Sequence, residues 1–341
     1  MRVLHIGSKN YPPNHGGVEK SIYNLTNGLN DHGISSFITI QWGEQSSKNI
    51  IKLPKSFFGR ISKIKEAAKN NSIDILHFNL ETFIPFAIFF KFFSKYKVCI
   101  TIRGCAWRLN RWPYLYRIIF YILDLFACIF LDTIFVGKRD YDHFKRLFFW
   151  RRLDFVPNGV EEHDFNSLDA SFDFLFIGRI SPEKNIINMI NFANINNINL
   201  DIYGPFDRHN PSYENKVMAL ISESSNIHYK GVLSHDQIFP TLSSYKCFIN
   251  FSFSEGMPVS VLEAGSVGLS LFLSNIKQHT SLNFPSAKYF DPNNLVEKIN
   301  VGSIVSSPKN KLHAQKNFLL SLTVRKIYNI YLRLIKHEQR I

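Results

Sequence analysis

The strongest constraint in this sequence is an order of elements that runs twice: a short β-rich apolar run, a glycine-bearing turn, then a stretch with helical spacing. Residues 2–6 are such a run, and the glycine-containing loop after them leads into a segment where Ile22, Leu25 and Leu29 recur at helical spacing and Gly33 supplies a C-cap. Further strands are expected at 37–40, 73–78, 98–102 and 134–136, separated by helical stretches, so the first half predicts a doubly wound parallel sheet. The pattern restarts after the turn Val156-Pro157-Asn158-Gly159, with the acidic, unpatterned segment 161–173 read as a linker. A second series follows, with strands expected at 174–177, 200–203, 227–230, 248–251 and 271–273, and with Ser234 and Gln237 spaced as a capping box. Residues 324–335 close the chain as a basic amphipathic helix.

A chain of 341 residues is too long for one ordinary core and suits two domains. The expected class is α/β, with two Rossmann-like doubly wound domains at 1–160 and 161–321 and the C-terminal helix 322–341 packing back on the first. Two such domains in tandem place the ends of both sheets around a central cleft, an arrangement shared by nucleotide-sugar enzymes, dehydrogenases and periplasmic-type binders. At 45% hydrophobic and 20% charged residues the chain reads as folded rather than disordered.

The formal charge of +13 favours polyanionic partners. Cations interleave with aromatics at Arg108, Arg111, Trp112, Tyr114, Tyr116 and Arg117, and more cations gather at Lys138, Arg139, Lys145, Arg146, Arg151 and Arg152. That pattern suits an anionic headgroup surface, and no recognised nucleic-acid module accompanies it. Cys99, Cys105, Cys128 and Cys247 lack metal or disulfide spacing, which fits a reducing, cytoplasmic setting. The apolar stretches 83–93 and 118–135 are broken by Lys91, Asp124 and Asp132 and fall short of a clean membrane span, while the first residues do not read as a signal peptide.

Three loops carry candidate chemistry. His15, Gly16 and Gly17 lie between the first strand and first helix, where glycines let backbone approach a phosphate beside a helix N-terminus; a plain tight turn explains them equally. Gly178, Arg179 and Lys184 join a strand end to a helix start, where two cations and free N–H groups suit a diphosphate, although solvated loop cations would look the same. Glu255 falls in the loop after residues 248–251, and Glu263 lies one to two turns into the next helix among Val261, Leu262, Ala264 and Val267. Two such carboxylates can accept paired sugar hydroxyls, and one amid apolar neighbours ordinarily has a partner or ligand. The dinucleotide and P-loop fingerprints are absent.

Taken in order, the Gly-Gly-Val-Glu loop, Pro157-Asn158-Gly159-Val160, Gly178-Arg179 with Lys184, and Glu255-x7-Glu263 resemble glycosyltransferase family 4, the retaining GT-B enzymes, over nearly the whole chain. The resemblance implies a GT-B fold and a first domain that binds acceptor. It implies that Glu263 binds the nucleotide ribose and that Glu255 contacts the donor sugar. Gly256, Met257, Pro258 and Val259 would shape the sugar and phosphate site, Asn158 and Gly178 would border the donor, and Arg179 and Lys184 would neutralise the leaving diphosphate in place of a metal. Gly16 and Gly17 would close the cleft from the other domain. Members commonly carry His-Gly after the strand at 98–102, but this chain has Arg103-Gly104, so Arg103, like His15, is expected at most to contact acceptor or sugar. Asp140-Tyr141-Asp142 has the spacing of metal-dependent sugar transferases yet opens a basic helix, a position that favours Asp for its own sake, and no metal is expected.

The implied activity is retaining transfer of a hexose or related sugar from a UDP- or GDP-sugar to a lipid-linked oligosaccharide or lipopolysaccharide-type acceptor, in O-antigen, capsule or lipopolysaccharide synthesis. The expected place is the inner face of the cytoplasmic membrane, with no cofactor beyond the nucleotide-sugar substrate and no required protein partner. Two alternatives are a non-catalytic assembly partner with a decayed site, for which Arg103 is the hint, and a nucleotide-sugar epimerase.

Overall fold

Apolar runs and helical stretches assemble into two separate parallel sheets in the computed structural model, which describes residues 1–11, 16–42, 47–109, 112–167, 172–300 and 304–336. By its internal contacts the chain divides into Met1–Glu161 with Leu320–Ile341, and Glu162–Leu319. These are called unit 1 and unit 2.

Among the described residues unit 1 is built on seven strands: β1 (Arg2–Ser8), β2 (Ser35–Ile40), β3 (Ile50–Lys52), β4 (Ile75–Phe78), β5 (Lys97–Ile102), β6 (Asp132–Phe135) and β7 (Leu153–Phe155). They lie in the order β3-β2-β1-β4-β5-β6-β7, all parallel. Their helices are α1 (Gly17–Asp31), α2 (Phe57–Asn70), α3 (Ile84–Phe93), α4 (Tyr114–Phe130) and α5 (Lys138–Leu147). Strands buried on both faces read as continuous hydrophobic runs, and β4 (Ile75, Leu76, His77, Phe78) is buried throughout. The apolar stretch 118–135 divides between α4 and β6, and among the described residues no helix is long and apolar enough to cross a membrane.

Unit 2 carries β8 (Phe172–Ile177), α6 (Ile186–Ile195), β9 (Leu200–Tyr203), α7 (Pro211–Ser222), β10 (Ile227–Tyr229), α8 (Ile238–Ser243), β11 (Tyr245–Asn250), α9 (Val259–Val267), β12 (Ser270–Ser274), α10 (Lys277–Thr280), β13 (Ala287–Phe290) and α11 (Pro308–Phe318). The sheet order is β10-β9-β8-β11-β12-β13, again parallel. Its core is aromatic, with Phe174, Phe192, Phe251, Phe272 and Phe290 in mutual ring contact. The capping box forms as its spacing predicts, the Ser234 N–H donating to Gln237 Oε1 at 3.0 Å, but it caps a single turn of 3₁₀ helix ahead of α8.

The last described element is α12 (Leu320–Lys336), which belongs to unit 1 and begins two residues earlier than expected. Val324, Ile327, Ile330, Tyr331 and Leu334 bury one face of α12 against Val3, Leu25 and Ile75. Gly28 makes that approach possible, because a Cβ there would stand 2.6 Å from Val324 Cγ2. The segment 161–173 is not wholly a linker: β8 starts inside it at Phe172, and the Ser167 N–H bonds the Val267 carbonyl at 3.1 Å. Three short strands at sheet edges escaped the pattern, β3, β7 and β13.

The two strand orders explain where the interesting loops fall. Chain connections diverge to opposite sides between β1 and β4 in unit 1 and between β8 and β11 in unit 2. At such switch points the loops leaving the carboxyl ends of adjacent strands separate and open a crevice.

Candidate functional site

In unit 2 the loops after β8 and β11 are tied together at the switch point. The Phe253 N–H donates to the Glu183 carbonyl at 2.9 Å, and Lys184 Nζ reaches Glu255 Oε1 at 2.5 Å. The Lys184 turn is set by Asn185, which adopts a left-handed conformation with φ 59° and donates its side-chain amide to the Phe251 and Pro292 carbonyls. Asn tolerates that conformation better than most residues, which gives it a backbone role here.

Glu255 is the most constrained side chain of this region. Besides Lys184, the Ser252 hydroxyl lies 2.8 Å and the Asn250 amide 3.2 Å from the same Oε1. Burial alone would raise its pKa, but the Lys184 ammonium, His279 and the hydrogen bonds from Lys184 and Ser252 together hold it below the usual carboxylate value. All three contacts converge on Oε1, and among the described residues no hydrogen bond reaches Oε2. Behind this loop the Ser274 hydroxyl donates to the Ser252 carbonyl at 2.6 Å, and His279 Nδ1 lies 3.0 Å from that hydroxyl. Burial pulls the His279 pKa down to about 4, so the ring is neutral at physiological pH.

Glu263 is buried on α9, whose residues Val261 to Val267 are all buried. Pro258 stands at the N-cap of α9, with Val259 as its first residue, and Gly256 and Met257 form the partly exposed approach to it. Gly178 follows β8 directly. Arg179 beside it is exposed and makes no hydrogen bond or ion pair among the described residues, while Lys184 pairs with Glu255.

Unit 1 gathers a second group at its own switch point. Arg103, immediately after β5, donates from Nη2 to Asn79 Oδ1 at 2.8 Å and from Nη1 to Ser21 Oγ at 2.6 Å and Asn158 Oδ1 at 3.4 Å. Ser21 in turn donates to Asn158 Oδ1 at 2.8 Å. Burial lowers the Arg103 pKa to about 10, opposed by the nearby Glu19 charge, so it stays a cation at neutral pH, and no carboxylate bonds it among the described residues. Gly16, with φ 107°, caps α1, and a Cβ there would meet Glu19 Oε2 at 2.3 Å; Gly17 faces open space. His15 lies outside the described residues.

The expected cation surface is partly consumed inside unit 1. Arg108 pairs with Asp140 at 2.9 Å and Lys138 with Asp142 at 2.6 Å, so each Asp of the Asp-x-Asp triplet is bound to a cation. Arg117 and Arg151 donate to the carbonyls of Trp107 and Cys128. Among the described residues one group of potential metal ligands is brought together, the buried Glu81, Cys105 and Asp124 of unit 1, with ligand atoms within 4.8 Å. There the Ala106 N–H bonds Glu81, and burial pushes the Asp124 pKa up to about 8.

Sequence reasoning missed Asn79, Ser21, Asn250, Ser252 and His279. A signal existed for two of them, since Asn79 and Asn250 are polar residues at the very end of apolar strand runs. The partners of Glu255 and Arg103 lie up to 71 and 82 residues away and leave no local trace.

Residues 161–299 match the family described as glycosyl transferases group 1. Solved structures similar in fold include sucrose-phosphate synthase (tll1590) from Thermosynechococcus elongatus, at TM-score 0.85 and 12% identity over 98% of this chain and 99% of that one. Anabaena Alr3699/HepE in complex with UDP-glucose superposes at TM-score 0.80 and 12% identity over 98% and 100%. The apo form of the lipopolysaccharide outer core galactosyltransferase WaaB does so at 0.69 and 15% over 98% and 100%. No curated protein sequence matches the chain. The two parallel-sheet units are those of the GT-B fold, and the matched segment falls within unit 2, beginning one residue before it.

Proposed function

We propose that this GT-B protein of the glycosyl transferases group 1 type is a retaining, metal-independent glycosyltransferase, moving a hexose or related sugar from a UDP- or GDP-sugar to a lipid-linked saccharide in surface polysaccharide synthesis. The observation that carries the reading is the carboxylate of Glu255. One oxygen is fixed by Lys184, Ser252 and Asn250, and the other is left to accept from a ligand. A carboxylate held in one orientation before substrate arrives suits the recognition of sugar hydroxyls, because its ordering cost is already met by the fold.

In this reading Glu263 accepts from the ribose hydroxyls. Gly178, Gly256, Met257, Pro258 and Val259 border the diphosphate and sugar, and Arg179 and Lys184 hold the diphosphate as negative charge develops on it. Lys184 exchanges its contact with Glu255 for the phosphate when donor binds, while Ser252 and Asn250 keep Glu255 in place. Asn158, Gly16 and Gly17 serve as donor contacts in this reading, and His15 and Arg103 as contacts to acceptor or sugar. HepE is a solved relative in fold holding UDP-glucose, and WaaB is named for a lipopolysaccharide substrate; both are consistent with the donor and acceptor classes. The lipid-linked acceptor places the protein in the cytoplasm, at the anionic inner face of the membrane.

The test is slow hydrolysis of UDP-glucose and GDP-mannose in EDTA, followed by NMR of the anomeric proton of the released sugar. Release of the donor's own anomer by the wild type, and its loss in Glu255→Gln, is the expected result. Release of the opposite anomer would contradict retention, and hydrolysis strictly dependent on added Mn²⁺ would contradict metal independence.

A further inference from the structure

The surface of unit 1 holds a feature that the sugar site does not use. Helix α4 has 17 residues and is roughly 25 Å long. It turns Asp124, Ala127 and Cys128 into the core. On its opposite side Leu115, Ile119, Ile122, Phe126, Ile129 and Phe130 are all exposed, Leu115 at 66%. From Leu115 to Ile129 the spacing is alternately four and three residues, with Phe130 four on from Phe126, which makes one continuous stripe along the helix.

Neighbouring segments widen the stripe. Phe92 and Phe93 at the end of α3 are exposed, Phe93 at 72%, and the Phe92 ring lies 5.6 Å from that of Phe130. Arg151 Nε donates to the Cys128 carbonyl at 3.1 Å, which ties the segment carrying the exposed Phe149 and Trp150 to the last turn of α4. An exposed apolar area of this extent is rare on a protein that works free in water and marks a docking face.

The charges around the face identify its occupant. Lys95, Arg146 and Arg152 are exposed on the segments that flank it, and Lys91, also exposed, pairs with Asp132 at 3.7 Å. The one carboxylate in α4 is the buried Asp124, and α3 and residues 146–152 contain none. A second copy docked about a two-fold axis would press this cationic border against itself. An anionic bilayer meets both features at once, taking the stripe below the headgroups and the cations at their level.

We propose that unit 1 docks on anionic membrane by laying α4 in the interface, with its apolar stripe and the tips of Phe92, Phe93, Phe149 and Trp150 inserted among the acyl chains. Insertion distinguishes this from the purely electrostatic surface expected of the cation clusters, several of whose members are tied within the unit. Only the purpose of docking rests on the lipid-linked acceptor reading, since vesicle binding is measured without donor or acceptor.

The experiment is flotation of the full-length protein with vesicles of phosphatidylcholine alone and of phosphatidylcholine with phosphatidylglycerol, at low salt and at about 1 M NaCl, where exposed charges are screened within a few ångströms. The wild type should prefer the anionic vesicles at low salt and keep a substantial bound fraction at high salt. Ile122→Asn combined with Phe126→Asn should reduce binding about tenfold or more at both salts, because two apolar side chains no longer leave water. Both positions are exposed, so unfolding temperature should stay the same. Binding that vanishes at high salt and ignores this variant would overturn insertion. A wild type that ignores vesicles would overturn docking, whether it sediments as a monomer or as a dimer dispersed by the variant.

Discussion

Arg103 shows how a single residue can be read in its setting. A guanidinium enclosed in protein ordinarily has a carboxylate, yet its partners here are the neutral oxygens of Asn79, Ser21 and Asn158. Three acceptors on three segments hold a planar fork in one orientation, which a lysine's single ammonium cannot reproduce. Arg103→Lys is therefore expected to lower turnover about tenfold or more without unfolding the protein, whereas turnover within a factor of about two would remove Arg103 from the site. Lys184→Ala should cost roughly 10²-fold in turnover, and a loss below about threefold would deny it the leaving-group role. His5 gives a test of stability. Burial first, and the Arg103 charge second, hold its pKa at about 3 against an ordinary 6.5. The unfolded chain thus binds the proton that the folded chain refuses. Its contribution is full above pH 6.5 and is lost as pH falls towards 3. His5→Leu should flatten the decline of unfolding temperature below pH 6.5, and an unchanged decline would place the titration elsewhere. The spacing Glu255-x7-Glu263 was legible because it spans one loop and the start of one helix. That Lys184 rests on Glu255 was not, because only the sheet order makes β8 and β11 neighbours.

At the scale of elements, periodicity revealed what had length to show it. Ten strands and the C-terminal helix were readable, while β3, β7 and β13, short strands at sheet edges, were not. The tight seating of α12 on α1 was invisible because it depends on Gly28 lacking a side chain. Alanine at an exposed helix position gains up to about 1 kcal/mol over glycine. At Gly28, however, its Cβ would fall 2.6 Å from Val324 Cγ2. Overpacking against a stiff β-branched neighbour costs about 1–3 kcal/mol, so the clash wins. Gly28→Ala should lower the unfolding temperature, and adding Val324→Ala should recover part of the loss. A stabilised single variant would mean that α12 sits more loosely than described. The same element-level reading separates α4 from the other helices of unit 1. Its sequence announced an apolar segment, but only the packing shows which side of it remains uncovered.

For the molecule as a whole, the sequence carried the class, the tandem sheets and the order of the motifs, because each βα unit is a local object. It could not carry the convergence of loops at the two switch points, which depends on strand order. Nor could the +13 charge say which cations remain available once ion pairs form. The central claim is that unit 2 holds a nucleoside diphosphate without metal, with Glu263 on its ribose. It is tested most directly by calorimetric titration of the full-length protein and of Glu263→Ala with UDP and with GDP, separately, in EDTA. Micromolar binding of one nucleotide, weakened about tenfold or more in Glu263→Ala, is the predicted result. Binding of neither nucleotide, or binding indifferent to Glu263, would contradict it.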